Sequence, residues 1–233
     1  MIFQDVLFSE PQVLTYPKHD DFEKYEGQVK DGKPQGRGNM TFRDGGFYFG
    51  EWQDGARHGK GNQKYSTDAA RDNYDGSWKD DQEDGEGVLV FKNGPKYEGS
   101  MFNGFRHGKG FQTFAKDDVY DRASYEGEWN ADKSSGNGTL IWKNGAKYVG
   151  GFLNDLRHGH GIETYPEDDT RLSYDGEWKE GEKSGNGTYI WKDGRKYVGE
   201  FKDDRCHGEG ILYSATNEII NQGQWEKDSF IGK

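Results

Sequence analysis

A pattern that reads aromatic-x-Gly-x-Trp, a polar turn and then Gly-x-Gly recurs along almost the whole chain, and residues 48–61, YFGEWQDGARHGKG, carry it in full. Units begin at Tyr25, Tyr48, Tyr74, Tyr97, Tyr125, Tyr148, Tyr174 and Tyr197, and a broken ninth begins at Asn221. Self-similarity at a short fixed period means that each unit is one supersecondary element that buries its apolar side against its neighbours. Composition agrees. Only 30% of the 233 residues are hydrophobic, too few for one large core, yet there are 36 Gly, 14 Tyr, 14 Phe and 7 Trp. Disordered chains are poor in aromatics, so this is a folded repeat array.

Within a unit the apolar period is two, which marks a strand. Tyr48, Gly50 and Trp52 share one face while Phe49 and Glu51 point the other way; Gly61, Gln63 and Tyr65 continue the inner face, as do Gly87, Leu89 and Phe91. Each unit is therefore a β-hairpin, and the chain is all-β. Glycine weakens a strand, but between large rings it leaves room for a ring to lie flat on the backbone. Cross-strand pairs of this kind contribute roughly 0.2 to 1 kcal/mol each.

Two kinds of unit alternate. Phe42, Phe91, Trp142 and Trp191 are followed by Arg-Asp-Gly, Lys-Asn-Gly, Lys-Asn-Gly and Lys-Asp-Gly, which signal tight hairpin turns. Tyr65, Phe114 and Tyr165 lead instead into longer Asp-rich loops, so Tyr48, Tyr97, Tyr148 and Tyr197 stand 49, 51 and 49 residues apart. The true period is a pair of hairpins. Long units carry Arg57-His58, Arg106-His107, Arg157-His158 and Arg205-Cys206-His207 before a glycine, where short units carry Pro34-Gln35, Glu83-Asp84, Ser134-Ser135 and Lys183-Ser184. With strands ~4.8 Å apart a pair advances ~19 Å. One margin is then expected to show a row of Arg-His turns and the other a row of acidic loops.

At the N-terminus, Leu14-Thr15-Tyr16-Pro17 matches Glu163-Thr164-Tyr165-Pro166, and the register carried backwards puts Phe3 at the tryptophan position. Residues 1–24 are read as a degenerate capping repeat, 25–220 as eight repeats and 221–233 as a partial repeat. The alternative for the N-terminus is an arm whose Ile2, Phe3, Leu7 and Phe8 dock on a partner. A formal charge of -11 disfavours nucleic acid and anionic membranes as partners. One cysteine, Cys206, fits a reducing compartment, and the opening MIFQDVLF lacks the pattern of a secretory signal. The expected location is cytoplasmic, and the sequons at Asn39, Asn137 and Asn186 are read as repeat positions rather than glycosylation sites.

The motif Tyr-x-Gly-x-Trp followed by Gly-x-Gly in tandem units resembles the MORN (membrane occupation and recognition nexus) repeat. The likeness covers about residues 25–232, and YEGEW at 125–129 and RHGKG at 57–61 lie close to its consensus. Met101, Phe152 and Phe201 replace the tryptophan, Ser214 an aromatic, and Asn221 the tyrosine of the last unit. The resemblance implies an elongated, twisted, single-layer antiparallel sheet with a groove lined by the repeat aromatics. It also implies a non-catalytic scaffold of cytoskeletal structures, including ciliary axonemes and their radial spokes. A phosphoinositide-binding targeting module is the alternative, with Arg57, Lys60, Arg106, Lys109, Arg157 and Lys96, Lys147 and Lys196 meeting headgroups.

Other chemistry finds little support in the spacing. His58, His107, His158 and His207 hold one repeat position and fall ~19 Å apart, whereas zinc needs its ligands at about 2.0–2.3 Å; no metal and no cofactor are expected. Asp80-x-Gln82-x-Asp84-Gly85 imitates a calcium loop, but its twelfth position is Phe91 rather than Glu. Acidic loops at Asp117-Asp118 and Asp168-Asp169 read as solvated. Gly-x-Gly lacks the following helix and Lys-Ser/Thr of a phosphate loop. No constellation breaks the repeat, so no enzyme activity is expected.

The aromatic face is the candidate site. A single layer has no second sheet to cover it, and large apolar patches mark interaction surfaces. The expected partner-binding groove comprises Tyr48, Trp52, Tyr97, Tyr125, Trp129, Trp142, Tyr174, Trp178 and Trp191, with Arg57, His58, Arg106, His107, Arg157 and His158 as a secondary margin. Its occupant is a helical or extended protein segment. Trp129, Trp142, Trp178 and Trp191 are its expected anchors. The edge strand at Gln222–Trp225 offers self-association by strand addition; membrane binding is expected to be weak and electrostatic.

Overall fold

The computed structural model describes residues 10–232. The chain divides into two compact units, one ending at Gly108 and one starting at Lys109. The first holds β1 (Gln12–Thr15), β2 (Phe22–Lys30), β3 (Lys33–Phe42), β4 (Phe47–Gln53), β5 (Ala56–Lys64), β6 (Arg71–Lys79), β7 (Gln82–Phe91) and β8 (Lys96–Phe102), and β9 (Phe105–Thr113) contains the boundary. The second holds β10 (Arg122–Asn130), β11 (Lys133–Trp142), β12 (Lys147–Leu153), β13 (Leu156–Thr164), β14 (Arg171–Lys179), β15 (Glu182–Trp191), β16 (Lys196–Lys202), β17 (Arg205–Tyr213), β18 (Ile219–Glu226) and β19 (Ser229–Gly232). No helix occurs among the described residues. In each unit the strands follow chain order and pair antiparallel with their sequence neighbours, giving a single layer of consecutive hairpins.

The repeat motif accounts for this local structure residue by residue. In β4, the ring of Tyr48 folds over Gly50 and over its cross-strand partner Gly61; a Cβ on Gly61 would stand 2.1 Å from the Tyr48 oxygen and 2.3 Å from Cζ. The ladder slips by a bulge just after Gly50, and the phenol donates to the Glu51 carbonyl at 3.0 Å. Every unit repeats this bond from Tyr to the residue three further on, for example Tyr125 to Glu128 and Tyr174 to Glu177, both at 3.0 Å. The bulged carboxylate in turn accepts the N–H that follows the first glycine of Gly-x-Gly, as Glu128 does from Asn137 and Glu177 from Asn186 at 2.9 Å. That first glycine needs left-handed backbone, φ +59° at Gly136, which glycine adopts without steric cost.

The rings form edge-to-face ladders. In the first unit, Tyr25, Trp52, Tyr48, Trp78 and Tyr74 meet in succession at centroid separations of 5.1–5.5 Å and angles of 80–88°. In the second, Trp129, Tyr125, Phe152, Tyr148, Trp178, Tyr174, Phe201, Tyr197 and Trp225 continue the same geometry at 4.9–5.2 Å. Each contact stabilises by about 0.5–1.5 kcal/mol beyond its buried area. Indole N–H groups donate back to the preceding hairpin, Trp52 to Gly38 at 3.2 Å and Trp178 to Gly161 at 3.1 Å.

The turns correct the expected margins. Two-residue turns lie at Asp31-Gly32, Asp54-Gly55, Asp80-Asp81, Asn103-Gly104, Ala131-Asp132, Asn154-Asp155, Glu180-Gly181, Asp203-Asp204 and Lys227-Asp228, with positive φ at both positions of each. The chain has thus already turned when it reaches Arg57-His58-Gly59, Arg106-His107 or Arg157-His158, and these are strand residues of β5, β9 and β13. On the opposite side, the Asn-Gly and Asp-Gly connections alternate with the longer loops, and the basic residue of each reaches across to its neighbour. Lys143 donates to the Lys116 carbonyl at 2.8 Å, and Lys192 to Pro166 at 2.7 Å.

The same clamp occurs near the N-terminus, where Arg43 donates to the carbonyls of Tyr16 at 2.8 Å and Pro17 at 3.0 Å. β1 pairs Leu14 with Tyr25. Phe3 and the arm residues Ile2, Leu7 and Phe8 lie outside the described residues. In the second unit β18 and β19 close a further hairpin, with Trp225 opposite Phe230.

Candidate partner-binding face

Period-two alternation decides which side chains reach the aromatic face, and it runs unbroken through each turn. Nine residues after the unit tyrosine comes a second-strand position that also faces inward: Pro34, Arg57, Glu83, Arg106, Ser134, Arg157, Lys183 and Cys206. The arginines of this set therefore do not point outward from a margin. Arg57 lies over the Trp78 ring, 4.4 Å from its centroid, and Arg157 over Trp178 at 4.1 Å; Arg106 sits 5.9 Å from the Tyr97 ring. Burying a guanidinium stem against a ring while its N–H groups stay bonded is favourable. The histidines take the other face: the rings of His107 and Phe102 are 5.6 Å apart, and His58 and His158 each keep a buried Nδ1 without a hydrogen bond.

Six residues farther along, the polar rungs Gln63, Gln112 and Glu163 are buried. Gln63 stands opposite both Tyr48 and Tyr74, and Glu163 opposite both Tyr148 and Tyr174. Each needs a partner, because a buried unpaired polar group is costly. Arg57 donates to Gln63 at 3.0 Å and Arg157 to Glu163 at 2.8 Å. Glu163 also accepts from Tyr165 at 2.5 Å and faces Lys183 at 3.5 Å. Glu83, another inward polar residue and 3% exposed, is held instead by Tyr65 and by Arg71 at 2.5 Å. Burial is the main cause that pushes the phenol of Tyr148 up to about 12, with Arg157 opposing the rise and Glu163 adding to it.

The residues expected to form a groove divide sharply. Tyr48, Trp52, Tyr97, Tyr125, Trp129, Tyr174 and Trp178 are at most 5% exposed. They are the core of the array, because edge-to-face stacking and the inward arginines enclose them, and a partner has almost no access to them. Trp142 and Trp191 remain half-buried. Both end a short-unit second strand, beyond the reach of the ladder.

In the second unit, a cleft of about 320 Å³ opens on this face, lined by Arg171, Lys183, Tyr189, Trp191, Phe201, Asp204, Cys206 and Asp228. Trp191 and Tyr189, their rings tilted at 57° with centroids 4.7 Å apart, make one wall. Lys183 is 8% exposed and is balanced by Glu163 and by Asp204 at 3.6 Å. Arg171 is clamped by Asp169 at 2.6 Å, which holds that carboxyl well below the usual range. Of these lining residues the sequence reading placed only Trp191 in the groove. The signal for Lys183 and Cys206 was available in the inward position nine residues after Tyr174 and Tyr197.

Comparison with protein families finds the MORN repeat at residues 25–47, 48–68, 74–96, 97–119, 125–147, 148–170, 174–194 and 197–218. The human and bovine ALS2 C-terminal-like proteins are each 46% identical to this chain over 46 residues, which is 20% of this chain and 5% of either relative. The match thus spans only a small part of those curated proteins. Among solved structures, the wild-type TCP10 domain of Danio rerio CPAP in complex with a peptide of Danio rerio STIL aligns with 92% of this chain and 94% of its own, at a TM-score of 0.41 and 12% identity. With its motif matched from Tyr25 to Glu218 and each motif residue placed in a hairpin that uses it, the chain belongs to the MORN repeat family.

Proposed function

We propose that this chain is a non-catalytic scaffold that holds an extended or helical segment of a protein partner against its aromatic face, within a cytoskeletal or ciliary assembly of the cytoplasm such as an axoneme or its radial spokes. The observation that carries the reading is the cleft beside Trp191 and Tyr189, where ring surface stays open on a face otherwise closed by stacking. Aromatic residues set in a polar rim are the usual anchors of protein interfaces. The cytoskeletal setting follows what MORN-repeat proteins commonly do.

Headgroup binding is the weaker reading, because many of the basic side chains it needs are engaged. Arg57 and Arg157 face inward, and Lys60 donates to Ser77 at 2.8 Å. Lys96 pairs with Glu98 at 2.9 Å, and Lys196 lies over Tyr213. The test is a photo-crosslinking residue placed at position 191 and, as a control on the opposite face, at position 149. Discrete protein adducts from 191 alone are expected. Equal labelling from both positions would refute the reading, and saturable, headgroup-selective vesicle binding at about 150 mM salt, where free charge reaches only ~8 Å, would favour the membrane alternative.

A further inference from the structure

We propose that the cleft at Cys206 receives an arginine side chain supplied by a partner polypeptide. The source of that side chain rests on the scaffold reading above; its chemistry is read from the repeat itself. In long units the inward position is occupied by Arg57, Arg106, Arg157 and Cys206. Arg57 stacks on Trp78, and its Nε and Nη2 donate to Oδ1 and the carbonyl of Asp81, both at 3.0 Å. Arg157 stacks on Trp178 and donates to the Gly181 carbonyl at 2.7 Å. A guanidinium thus lies over the tryptophan of the next unit and binds that unit's turn.

At Cys206 the turn acceptors recur without the guanidinium; Trp225 is 6% exposed, with Phe230 5.5 Å away, and lies behind the cleft, so the ring open to an incoming side chain is that of Trp191 in the cleft wall. Trp225 stands opposite Gly208 as Trp78 stands opposite Gly59 and Trp178 opposite Gly159. Asp228 takes the place of Asp81: its Oδ1 accepts the Cys206 N–H at 2.8 Å and its own N–H donates to the Cys206 carbonyl at 3.0 Å, against 2.9 and 3.1 Å for Asp81 and Arg57. Among the described residues, no cation pairs with Asp228.

The other charges lining the cleft are matched, Arg171 with Asp169 and Lys183 with Glu163 and Asp204. The thiol is neutral, pushed up to about 12 by burial and then by Asp228, and it is far smaller than an arginine side chain. The neighbouring Arg205 is exposed on the opposite face, where it stands across the backbone ladder from Lys202. A planar guanidinium lies flat on a ring while its rigid fork donates to a carboxylate and a carbonyl, a geometry that the compact point charge of lysine does not match.

The probe is N-acetyl-arginine-N-methylamide, titrated into the isotopically labelled full chain beside its citrulline and lysine counterparts. Amide shifts are expected at Cys206 and Asp228 and at the Trp191 indole N–H, with binding at least tenfold tighter than for citrulline, since hydrogen bonds to a charged group are the stronger kind. Cys206→Arg should abolish this binding, raise Tm and cut the position-191 adducts at least tenfold. Asp228→Asn, which keeps an acceptor for the Cys206 N–H, should weaken the probe tenfold, and together with the citrulline comparison it decides the matter if Cys206→Arg does not fold. Equal affinity for citrulline, shifts elsewhere, or undiminished adducts in Cys206→Arg would overturn the proposal and leave the scaffold reading standing. Arginine binding at the cleft without protein adducts would instead remove the partner as its source.

Discussion

Replacing Gly161 by alanine isolates the contact on which every unit depends. A Cβ there would stand 2.2 Å from the Tyr148 oxygen, 2.4 Å from Cζ and 2.5 Å from Cε2. Ordinary carbon contacts lie at about 3.5–4.0 Å, so the ring must withdraw by roughly 1 Å or more. It has nowhere to go. Tyr148 is fully buried, with Phe152 and Trp178 edge-to-face on it, each at 5.2 Å, and its hydroxyl is bonded to Gly151 at 3.0 Å. Overpacking at about 1–3 kcal/mol, a lost hydrogen bond at about 0.5–1.5 and weakened ring contacts add to a destabilisation of about 3–5 kcal/mol. The control is Gly159, which has φ +71° and nothing within 4 Å; its alanine variant pays only backbone strain, about 1–2 kcal/mol. Urea unfolding, with amide exchange followed in β12–β14, reads both. On a Tyr148→Ala background, Gly161→Ala should cost less than about 1 kcal/mol, because the obstacle is gone. Additive costs in that cycle, or equal costs at 159 and 161, would refute the reasoning.

Other expectations concern the same parts. The phenols of Tyr25 and Tyr148, both pushed up to about 12 from 10 chiefly by burial, favour the folded state fully below pH 10, and that contribution is lost as pH rises from 10 through about 12; tyrosinate absorbance should therefore appear for these rings together with loss of sheet, and reversible ionisation near pH 10 in the folded protein would contradict it. Lys192→Met removes the bonds to the Pro166 and Glu167 carbonyls, so limited proteolysis should open the 165–170 loop while global stability changes by less than about 1 kcal/mol, as is usual for exposed contacts. Ala131 has φ +47° in a two-residue turn, a conformation that asparagine tolerates better; Ala131→Asn should stabilise by about 0.5–1 kcal/mol in urea, and no gain would show that the turn is held by its neighbours instead.

The hairpins were legible because tyrosine, glycine and tryptophan repeat with the strand period, and the ring over Gly61 needs that glycine. The turns were less so. Asp-Gly after Phe42 looks like the tightest connection, yet the two-residue turns include Asp80-Asp81 and Lys227-Asp228, where no glycine marks the left-handed backbone. Misplacing them by three residues turned Arg57, Arg106 and Arg157 into margin residues, when their alternation with Gly59, Gly108 and Gly159 already carried them inward. The candidate site suffered more. Sequence shows that Tyr48 and Trp178 face the same way, but not that an arginine lid and edge-to-face neighbours close over them. Only Trp142 and Trp191, at strand ends, combine the expected identity with remaining exposure.

The aspartates of the turns give the array a direction. Asp81, Asp155, Asp204 and Asp228 each accept an N–H from the hairpin before their own, from Arg57, Ser134, Lys183 and Cys206 at 2.7–2.9 Å. In these four cases a unit is finished by its successor rather than by its predecessor, and the bond crosses a junction between a long unit and a short one. The indivisible module is accordingly a pair. Excising residues 125–173 would set Tyr174 in the place of Tyr125 and hand each carbonyl, amide and loop a successor of the kind it had, whereas removing one hairpin would set two like loops side by side and leave a lysine such as Lys143 with no loop to clasp. Arrays of this kind can lengthen and shorten in evolution by whole pairs, and the near-constant spacing of Tyr48, Tyr97, Tyr148 and Tyr197 is the trace of that grammar.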